Sequence, residues 1–380
     1  MDFSKLTKYI DTLSLCGIPG CEMHVAYKGK VVYSHSAGHS NKEATRKADF
    51  SDMYRQFSCT KVLTATCAMR LVEEGKLSFE DPVSKYLPEY ANLTVKTNDE
   101  GGVAPTKKEM KIKHLFSMTG GLSYNTSAQP IKDAVENGAK STREIVASFA
   151  KVPLGFEPGE DYEYSLCHDV LGAVIEVITG KTLCEHMLEL IFEPLGMTSA
   201  TLNENNVDVQ RIPHLYYYDT GLYRAVFHEK YSSNHLQITP QYESGGAGLV
   251  CSGQDYIKFA AAMSNSGVSE NGYRLLSQKS LDLFKTDLLT EAQRSKFIRT
   301  VGKPGYSYGY GVRTLVSKEI GQSLSPLGEF GWDGMGGCYT LIDHQNQIGI
   351  YFAMHVVGCN YAYSHIHPTL RNLTYLALGI

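Results

Sequence analysis

The stretch Ser58-Cys59-Thr60-Lys61 opens an apolar run that ends at Gly75. Apolar residues surround most of this run, which predicts a helix buried in the core. Residues three apart share one face of a helix, so the Lys61 amine can reach the Ser58 hydroxyl. A hydroxyl is a poor nucleophile at neutral pH unless a base lies beside it. A lysine whose pKa is lowered by burial or by a neighbouring cation can be that base.

A serine three residues before a lysine is a short motif, and the same spacing recurs at residues 148–151. The second occurrence runs into Pro153 and lies where a helix ends, so we interpret it as coincidental. Ser58 instead stands where a helix begins, beside unpaired N–H groups and the positive end of the helix dipole. The alternative interpretation is that Ser58 is only an N-cap, and the four residues alone leave both open.

The composition excludes some classes of partner. The chain has 380 residues, of which 43% are hydrophobic and 20% charged, which fits a globular protein with two lobes. Its formal net charge of −4 comes without a basic tract, which argues against binding to nucleic acid. An oligomer is possible, but nothing in the sequence indicates one.

The sequence also predicts a location. Residues 1–6 carry no basic segment followed by an apolar one, and no apolar run approaches the ~18 residues that span a membrane. The nine cysteines are an odd number scattered among apolar residues, which favours free thiols in a reducing compartment. We therefore expect a cytoplasmic protein of bacterial origin that does not bind a membrane.

Strands are predicted near both ends of the chain and helices in the middle. A glycine turn within residues 21–35 predicts a hairpin. This hairpin would join alternating segments near the other end in one mainly antiparallel sheet: Tyr308–Leu315, Tyr339–Asp343 and Ile348–His355. Capped or periodic apolar stretches predict helices at residues 1–15, 112–118, 141–151, 166–179, 182–192, 253–264 and 277–284. Pro194 is expected to stop the helix at 182–192.

The predicted fold class is α/β (α+β), a mainly antiparallel sheet flanked by helices plus a mostly helical lobe. Residues 1–80 and 250–380 would form one discontinuous domain around the sheet. Residues 81–249 would form the helical domain, with the active site between the two. Loops are predicted at 76–110 and 203–235.

A second group of residues surrounds Tyr164. Pro158-Gly159 predicts a turn, and Tyr164 follows at the boundary between a loop and the helix that begins near Leu166. A phenol beside a lysine cation can have its pKa lowered and exchange a proton with a nucleophile. In a chain with 25 tyrosines, the plainer alternative is an aromatic packed in a turn.

A third group is the glycine-rich run 330–341, which contains Trp332-Asp333-Gly334. Glycines at a strand let a substrate approach the backbone closely. A strand N–H here could pair with the Ser58 N–H to hold an oxyanion. The alternative is a hairpin turn with a bulge.

These three groups together resemble the serine β-lactamase and penicillin-binding-protein superfamily, in which Ser-x-x-Lys, a Tyr-x-Asn or Ser-x-Asn element and Lys-Thr-Gly surround one site. The similarity is greatest to the class C β-lactamases and the β-lactamase-like carboxylesterases of family VIII. Further matching motifs follow in the family's order: residues 114–122 (HLFSMTGGL), 156–159 (FEPG), 191–197 (IFEPLGM) and 244–249 (SGGAGL).

The resemblance implies a β-lactamase/transpeptidase-like fold and a role for each residue of the site. Ser58 would be the acylated nucleophile, Lys61 its base partner and Tyr164 the second proton carrier. The N–H groups of Ser58 and Met335 would form the oxyanion hole. No nucleotide, flavin or metal motif stands out, so we expect no cofactor and no metal.

The resemblance also implies a set of substrate-binding residues, namely Tyr124, Asn125, Leu166, Trp332, Asp333 and Gly334. Leu166 stands where lactamases and peptidases place an asparagine that hydrogen-bonds the substrate amide, and leucine cannot make that bond. Trp332 stands where their Lys-Thr-Gly lysine attracts a carboxylate. Asp333 would repel a carboxylate if it faced the pocket. Both departures resemble the Tyr-Ser-Leu and Trp-x-Gly patterns of the esterase branch.

We therefore favour a serine hydrolase that forms an acyl-enzyme on Ser58 and acts on a small-molecule ester, or transfers its acyl group to another alcohol or amine. One alternative keeps this nucleophile in a D-amino-acid peptidase, a DD-carboxypeptidase or a weak class C β-lactamase. Another is a non-catalytic scaffold on the same fold. The acyl and leaving groups stay open because pocket size depends on the loops 85–110, 123–140 and 203–240.

Overall fold

The computed structural model describes residues 1–97, 101–228, 234 and 236–380. The loops predicted at 76–110 and 203–235 extend over residues 98–100, 229–233 and 235, which lie outside the described part of the chain. The loops 85–110 and 203–240, on which pocket size was expected to depend, contain the same residues outside the described part of the chain.

The longest sheet is built from both ends of the chain. The strands are β1 (Gly20–Tyr27), β2 (Lys30–Gly38), β3 (Met53–Arg55), β4 (Thr94–Lys96), β5 (Val103–Pro105), β6 (Tyr216–Asp219), β7 (Arg224–Phe227), β8 (Val250–Ser252), β9 (Tyr306–Tyr308), β10 (Arg313–Leu315), β11 (Phe330–Asp333), β12 (Tyr339–Asp343), β13 (Ile348–Met354) and β14 (Val356–Val357). Within the described residues, seven of them form an antiparallel sheet in the order β2-β1-β13-β12-β11-β10-β9. The predicted mainly antiparallel sheet and mixed fold class are thereby confirmed.

Helices cover this sheet and fill the middle of the chain. They are α1 (Ser4–Leu15), α2 (Thr60–Glu73), α3 (Ile112–Phe116), α4 (Gln129–Glu136), α5 (Thr142–Phe149), α6 (Cys167–Thr179), α7 (Leu183–Met187), α8 (Glu193–Leu195), α9 (Gly253–Ser264), α10 (Gln278–Phe284), α11 (Glu291–Val301), α12 (Lys318–Gly321) and α13 (His367–Leu378). None of the helices in the described ranges combines the length and hydrophobicity that crossing a bilayer requires.

The two faces of the sheet are buried by different helices. Side chains alternate along a strand, so Val25 and Ala26 of β1 belong to separate apolar clusters. On the side of Val25, α1 and α13 bury Leu6 and Leu370 against Phe352 of β13. On the side of Ala26, α9 packs against β1 and β13. Burial on both faces makes the central strands a rigid base for the rest of the molecule.

The start of α2 lies where the sheet meets the helical region. A short 3₁₀ turn, Phe57–Cys59, leads into α2 and contacts β11, while α2 itself packs against α6. Helix α6 also contacts α3 and α5. The division into a domain of residues 1–80 and 250–380 and a domain of residues 81–249 stays a prediction. The main sheet draws its strands from residues 20–38 and 306–354, and α3 to α8 lie within residues 112–195.

The structure differs from the predicted helix end at Pro194. Residues Leu188–Phe192 form a π-helical turn, and α8 carries the chain through Pro194 until Gly196 ends it at φ 66°. Proline has no N–H for the carbonyl four residues earlier, which is that of Leu190. The Tyr273 hydroxyl donates to this carbonyl at 3.0 Å, so the carbonyl is satisfied without the missing N–H. The side chain of Tyr273, which is distant in sequence, therefore allows the helix to continue through Pro194 although the local sequence disfavours it.

The segment predicted as one strand, Tyr308–Leu315, is two. Strands β9 and β10 are joined by a turn in which Gly311 has φ 83°. The Gly311 N–H donates to the Phe116 carbonyl at 2.9 Å. A Cβ on Gly311 would lie 2.6 Å from the Cβ of Ala65. This turn thus needs a glycine to fit against α2 and α3.

Candidate active site

Ser58 lies in the 3₁₀ turn that leads into α2, and it lines a cavity at the junction of sheet and helices. Its neighbour Phe57 is fully buried and adopts φ 44°, a conformation that is unfavourable for a bulky residue. Such strain persists only where the surroundings impose it, and it is common beside reacting groups. The Lys61 Nζ lies 3.0 Å from the Ser58 Oγ, so the predicted three-residue contact is present.

The Tyr164 hydroxyl reaches Ser58 from the loop before α6. It donates to the Ser58 Oγ at 2.6 Å, and the indole Nε1–H of Trp332 donates to the Tyr164 oxygen at 3.1 Å. The Tyr164 ring stacks between those of Tyr124 and Trp332, at centroid distances of 5.6 and 5.5 Å. Two aromatic rings therefore hold the phenol against the serine with little freedom to rotate.

Lys61 is fully buried, yet its surroundings favour the charged amine. Its Nζ donates to the Gly246 carbonyl at 2.8 Å and to the Tyr124 hydroxyl at 3.4 Å. Burial alone would lower the pKa of Lys61, but Tyr124, Tyr164 and Asp169 outweigh it and raise the pKa above its ordinary range. This direction favours the charged amine, which can stabilise negative charge nearby. The role of Lys61 as the base partner of Ser58 stays a prediction.

Asp169, on α6, is a part of this site that the sequence analysis missed. Its Oδ1 accepts hydrogen bonds from Tyr242 and Ser244, both at 2.6 Å, and from the Gly246 N–H at 3.4 Å. The carboxylate therefore fixes the segment whose carbonyl holds Lys61. The available signal was an acidic residue inside an otherwise apolar helix, since such residues are seldom buried without a partner.

Asp333 lines the cavity, but its charge is compensated by groups from three other segments. The Lys303 Nζ lies 3.0 Å from the carboxylate, the Arg313 Nη1 3.5 Å and the His367 Nδ1 2.7 Å. Burial would raise the pKa of Asp333, but Lys303 and Arg313 hold it far below its usual range. The expected repulsion of a carboxylate is therefore corrected: Asp333 is an ion-paired anion, and Lys303 adds a cation to the wall.

The segment after β11 lies directly against the nucleophile. A Cβ at Gly334 would be 2.3 Å from the carbonyl oxygen of Gln56, so only glycine fits there. The Tyr363 hydroxyl fixes this segment by donating to the carbonyls of Gly334 at 3.1 Å and Met335 at 2.9 Å. Ser58 and Met335, whose N–H groups the resemblance assigns to an oxyanion hole, both line the cavity.

The cavity has a volume of about 480 Å³ and a mostly apolar wall. Of the implied substrate-binding residues, Tyr124, Trp332, Asp333 and Gly334 line it. Asn125 does not, because its side chain turns back to accept the Ser127 N–H at 3.1 Å, and Thr126 lines the cavity instead. Leu166 does not either, because it is buried in the core at the start of α6. The structure adds Leu236, Thr300, Val301, Lys303 and Tyr363 to the lining.

Comparison with known proteins agrees with this architecture. Residues 6–359 match the model of the family described as Beta-lactamase. Esterase EstB of Burkholderia gladioli is 27% identical over 84% of this chain and 81% of its own length. Lovastatin esterase of Penicillium rubens is 28% identical over 89% of this chain and 88% of its own length. The solved structure of EstCE1, described as a hydrolase with promiscuous acyltransferase activity, has a TM-score of 0.79 at 22% identity and covers 98% of both chains.

Proposed function

The chain belongs to the Beta-lactamase family, and from this premise we propose that it is a serine hydrolase that forms an acyl-enzyme on Ser58 and cleaves carboxylic esters. One observation carries the proposal: a single hydroxyl is contacted by an ammonium at 3.0 Å and by a phenol at 2.6 Å, on the wall of an open cavity. A nucleophile, a proton carrier and a stabilising charge are the parts that acyl transfer needs. Two relatives named as esterases support the choice of substrate.

The proposed reaction begins when the Ser58 Oγ attacks the ester carbonyl carbon. In one concerted relay the Tyr164 O–H turns from Ser58 to the leaving oxygen and gives up its proton there while the Tyr164 oxygen takes the Ser58 proton, so the phenol stays neutral and the leaving group departs as an alcohol. The Lys61 ammonium and the N–H groups of Ser58 and Met335 stabilise the negative charge of the tetrahedral intermediate. Water then attacks the acyl-enzyme, and its proton returns through Tyr164 to Ser58. An alcohol or amine in place of water would make the same step an acyl transfer.

An apolar small-molecule ester suits this cavity better than a β-lactam or a peptide end. Trp332 occupies the place where the lactamases and peptidases have a lysine, and its indole N–H is directed to Tyr164. Lys303 adds a positive charge to the cavity wall, but it already forms an ion pair with Asp333. The side chains of Leu236, Val301 and Met335 offer apolar contacts to an acyl chain.

The proposal is tested with a fluorophosphonate probe and a short nitrophenyl ester. The Ser58→Ala protein should lose labelling, and its ester turnover should fall by at least about a thousandfold. Ser148→Ala is a matched control, because it makes the same change in the other Ser-x-x-Lys sequence, and it should leave both readouts intact. Labelling that persists without the Ser58 hydroxyl would refute the proposed nucleophile.

The alternatives give different results in the same experiment. A peptidase or weak β-lactamase would be acylated by a fluorescent penicillin faster than it turns over the ester. A non-catalytic scaffold would show no covalent adduct by intact-mass spectrometry over a broad ester panel. The expected result is an acyl adduct from esters that Ser58→Ala abolishes.

A further inference from the structure

A second cavity, of about 460 Å³, is lined by Lys303, Arg313 and His367, the three groups that contact Asp333. It shares Lys303 and Tyr363 with the first cavity. Its wall also contains two arginines, Arg313 and Arg371, which are 1% and 2% exposed. Buried arginines are uncommon unless carboxylates neutralise them. The partners of each cation in this wall therefore show whether the charges balance.

Arg371 is held by neutral groups. Its guanidinium donates to the Tyr306 hydroxyl at 2.8 Å, to the Asn372 side-chain oxygen at 3.0 Å and to the carbonyls of Gly321 and Gln322 at 3.1 and 2.9 Å. Among the described residues, no carboxylate lies within ion-pair distance of it. Burial raises the pKa of Tyr306, so this phenol stays neutral and does not balance the charge.

The carboxylates around the cavity do not balance all of its positive charges. Arg313 lies 3.5 Å from both Glu329 and Asp333, and its buried Nη1 has no hydrogen bond to any residue that the structure describes. Lys303 contacts Asp333 at 3.0 Å. In the described part of the chain, this cluster has three cations, Lys303, Arg313 and Arg371, against two carboxylates. One positive charge is left in a buried region, which is unfavourable until an anion joins it.

We propose that the second cavity binds a small oxyanion, a carboxylate or a phosphate, that supplies the missing negative charge. The available volume is many times the ~30 Å³ share of one water molecule, so a small anion fits together with some of its hydration. Guanidinium groups match the oxygens of such anions in geometry and charge. The anion would also compete with Asp333 for Lys303, which links the second cavity to the wall of the first.

The chain provides its own probe of this site, because Trp332 is its single tryptophan and precedes Asp333. Sodium phosphate and sodium acetate are titrated separately at constant ionic strength, with chloride as the replacement, while tryptophan fluorescence is recorded. The expected result is a saturable change with at least one of the two oxyanions and none with chloride. A response that follows ionic strength alone, or none up to about 50 mM, would overturn the proposal.

Two variants at the exposed mouth of the cavity separate binding from general charge effects. His365 lines the cavity and is exposed, so its replacement does not disturb the core. His365→Glu places a negative charge there and should weaken anion binding at least about tenfold, whereas His365→Gln should stay within about twofold of the original. Equal affinities in the two variants would contradict the proposed location. Protein whose Ser58 is blocked by a fluorophosphonate should still bind the anion, and loss of binding would place the anion in the first cavity instead.

Discussion

The indole N–H of Trp332 donates to the phenol oxygen of Tyr164 at 3.1 Å while the two rings stack at 5.5 Å. The same phenol contacts the Ser58 Oγ at 2.6 Å. Trp332 therefore touches the proposed proton carrier both through its face and through a directed hydrogen bond. A donor to this oxygen stabilises any negative charge that develops on it during proton transfer.

Replacing Trp332 with phenylalanine should separate these two contacts. Trp332→Phe keeps an aromatic ring against Tyr164 but removes the N–H, so kcat for ester hydrolysis should fall by about tenfold or more. KM should change less, because the lost bond goes to Tyr164 and not to the substrate. Steady-state kinetics from about pH 6 to pH 10 measure both effects and any shift of the basic limb.

Tyr308→Phe is the matched control for that change. The Tyr308 ring meets Trp332 edge-on at 5.0 Å, but its buried hydroxyl makes no hydrogen bond within the described part of the chain. Removing an unsatisfied hydroxyl should leave kcat within about twofold and should not lower stability. A similar loss of rate in both variants would show that packing around Trp332, and not its N–H, controls the rate.

Asp169→Asn should impair turnover although Asp169 does not touch Ser58. The substitution keeps the shape but removes the charge that faces Lys61, and it turns an acceptor for Tyr242 and Ser244 into a poorer one. We expect kcat to fall by about 10- to 100-fold and the free energy of unfolding to drop by ~1–3 kcal/mol. Urea unfolding and steady-state kinetics test these outcomes. Ser244→Ala removes one hydrogen bond without removing the charge, so it should lower kcat distinctly less.

Tyr363→Phe should test whether the segment after β11 serves as an oxyanion hole. The hydroxyl that is removed donates to the carbonyls of Gly334 and Met335, so the segment after β11 loses these hydrogen bonds. The hydrogen bond between Ser58 and Tyr164 is unchanged. A less ordered oxyanion donor should reduce kcat by about three- to tenfold with little change in KM. An unchanged kcat would argue against a catalytic role for the Met335 N–H.

Glu176 should make the protein less stable as the pH rises. Burial raises its pKa from 4.5 to about 7, and Glu243 adds repulsion, although the carboxylate accepts the Leu183 N–H at 3.0 Å. Because the folded state then holds the Glu176 proton more tightly than the unfolded state, the contribution of Glu176 to stability is greatest below pH 4.5. It falls as the pH rises to about 7. Glu176→Gln mimics the protonated form, so its Tm should exceed that of the parent at about pH 8, with the difference shrinking towards pH 4.5.

Glu144→Gln is the control of opposite sign. Backbone N–H groups of Lys140 and Ser141 donate to this exposed carboxylate and lower its pKa to about 2. The charged form is the one that the folded state prefers, so its stabilisation is present above the ordinary pKa and is lost as the pH falls towards 2. The Glu144→Gln protein should therefore have a lower Tm than the parent at about pH 8. A Tm above that of the parent in both variants at about pH 8 would indicate a general effect of net charge.

The sequence predicted the features of this protein that depend on neighbours along the chain. Ser58 and Lys61 meet because three residues make about one helical turn, and the hairpin turns at Lys28 and Gly29, which have positive φ. Gly180 ends α6 in the left-handed conformation, as its position predicts. These interactions are local, so the pattern of residue types is enough to indicate them.

Features that depend on distant residues were not predictable in the same way. Lys303 reaches Asp333 only because a loop after α11 folds against β11. Helix α11 itself was not predicted, since its buried residues, Gln293 and Phe297, are too few for a clear apolar stripe. The tyrosine that satisfies Leu190 beside Pro194 is equally remote in sequence. Such contacts arise from packing and leave no periodic signal.

The pairing of β1 with β13 has a consequence for how the protein matures. Cys21 lies opposite Met354, so the central ladder closes only when almost the entire polypeptide is available. Contacts between such remote partners form slowly, because a very long loop must first be ordered. Strand β11, which carries Trp332, depends on that ladder through β12. A ribosome-bound, half-made chain would thus contain Ser58 but neither Trp332 nor Met335, and the proposed site would stay incomplete until synthesis nears its end.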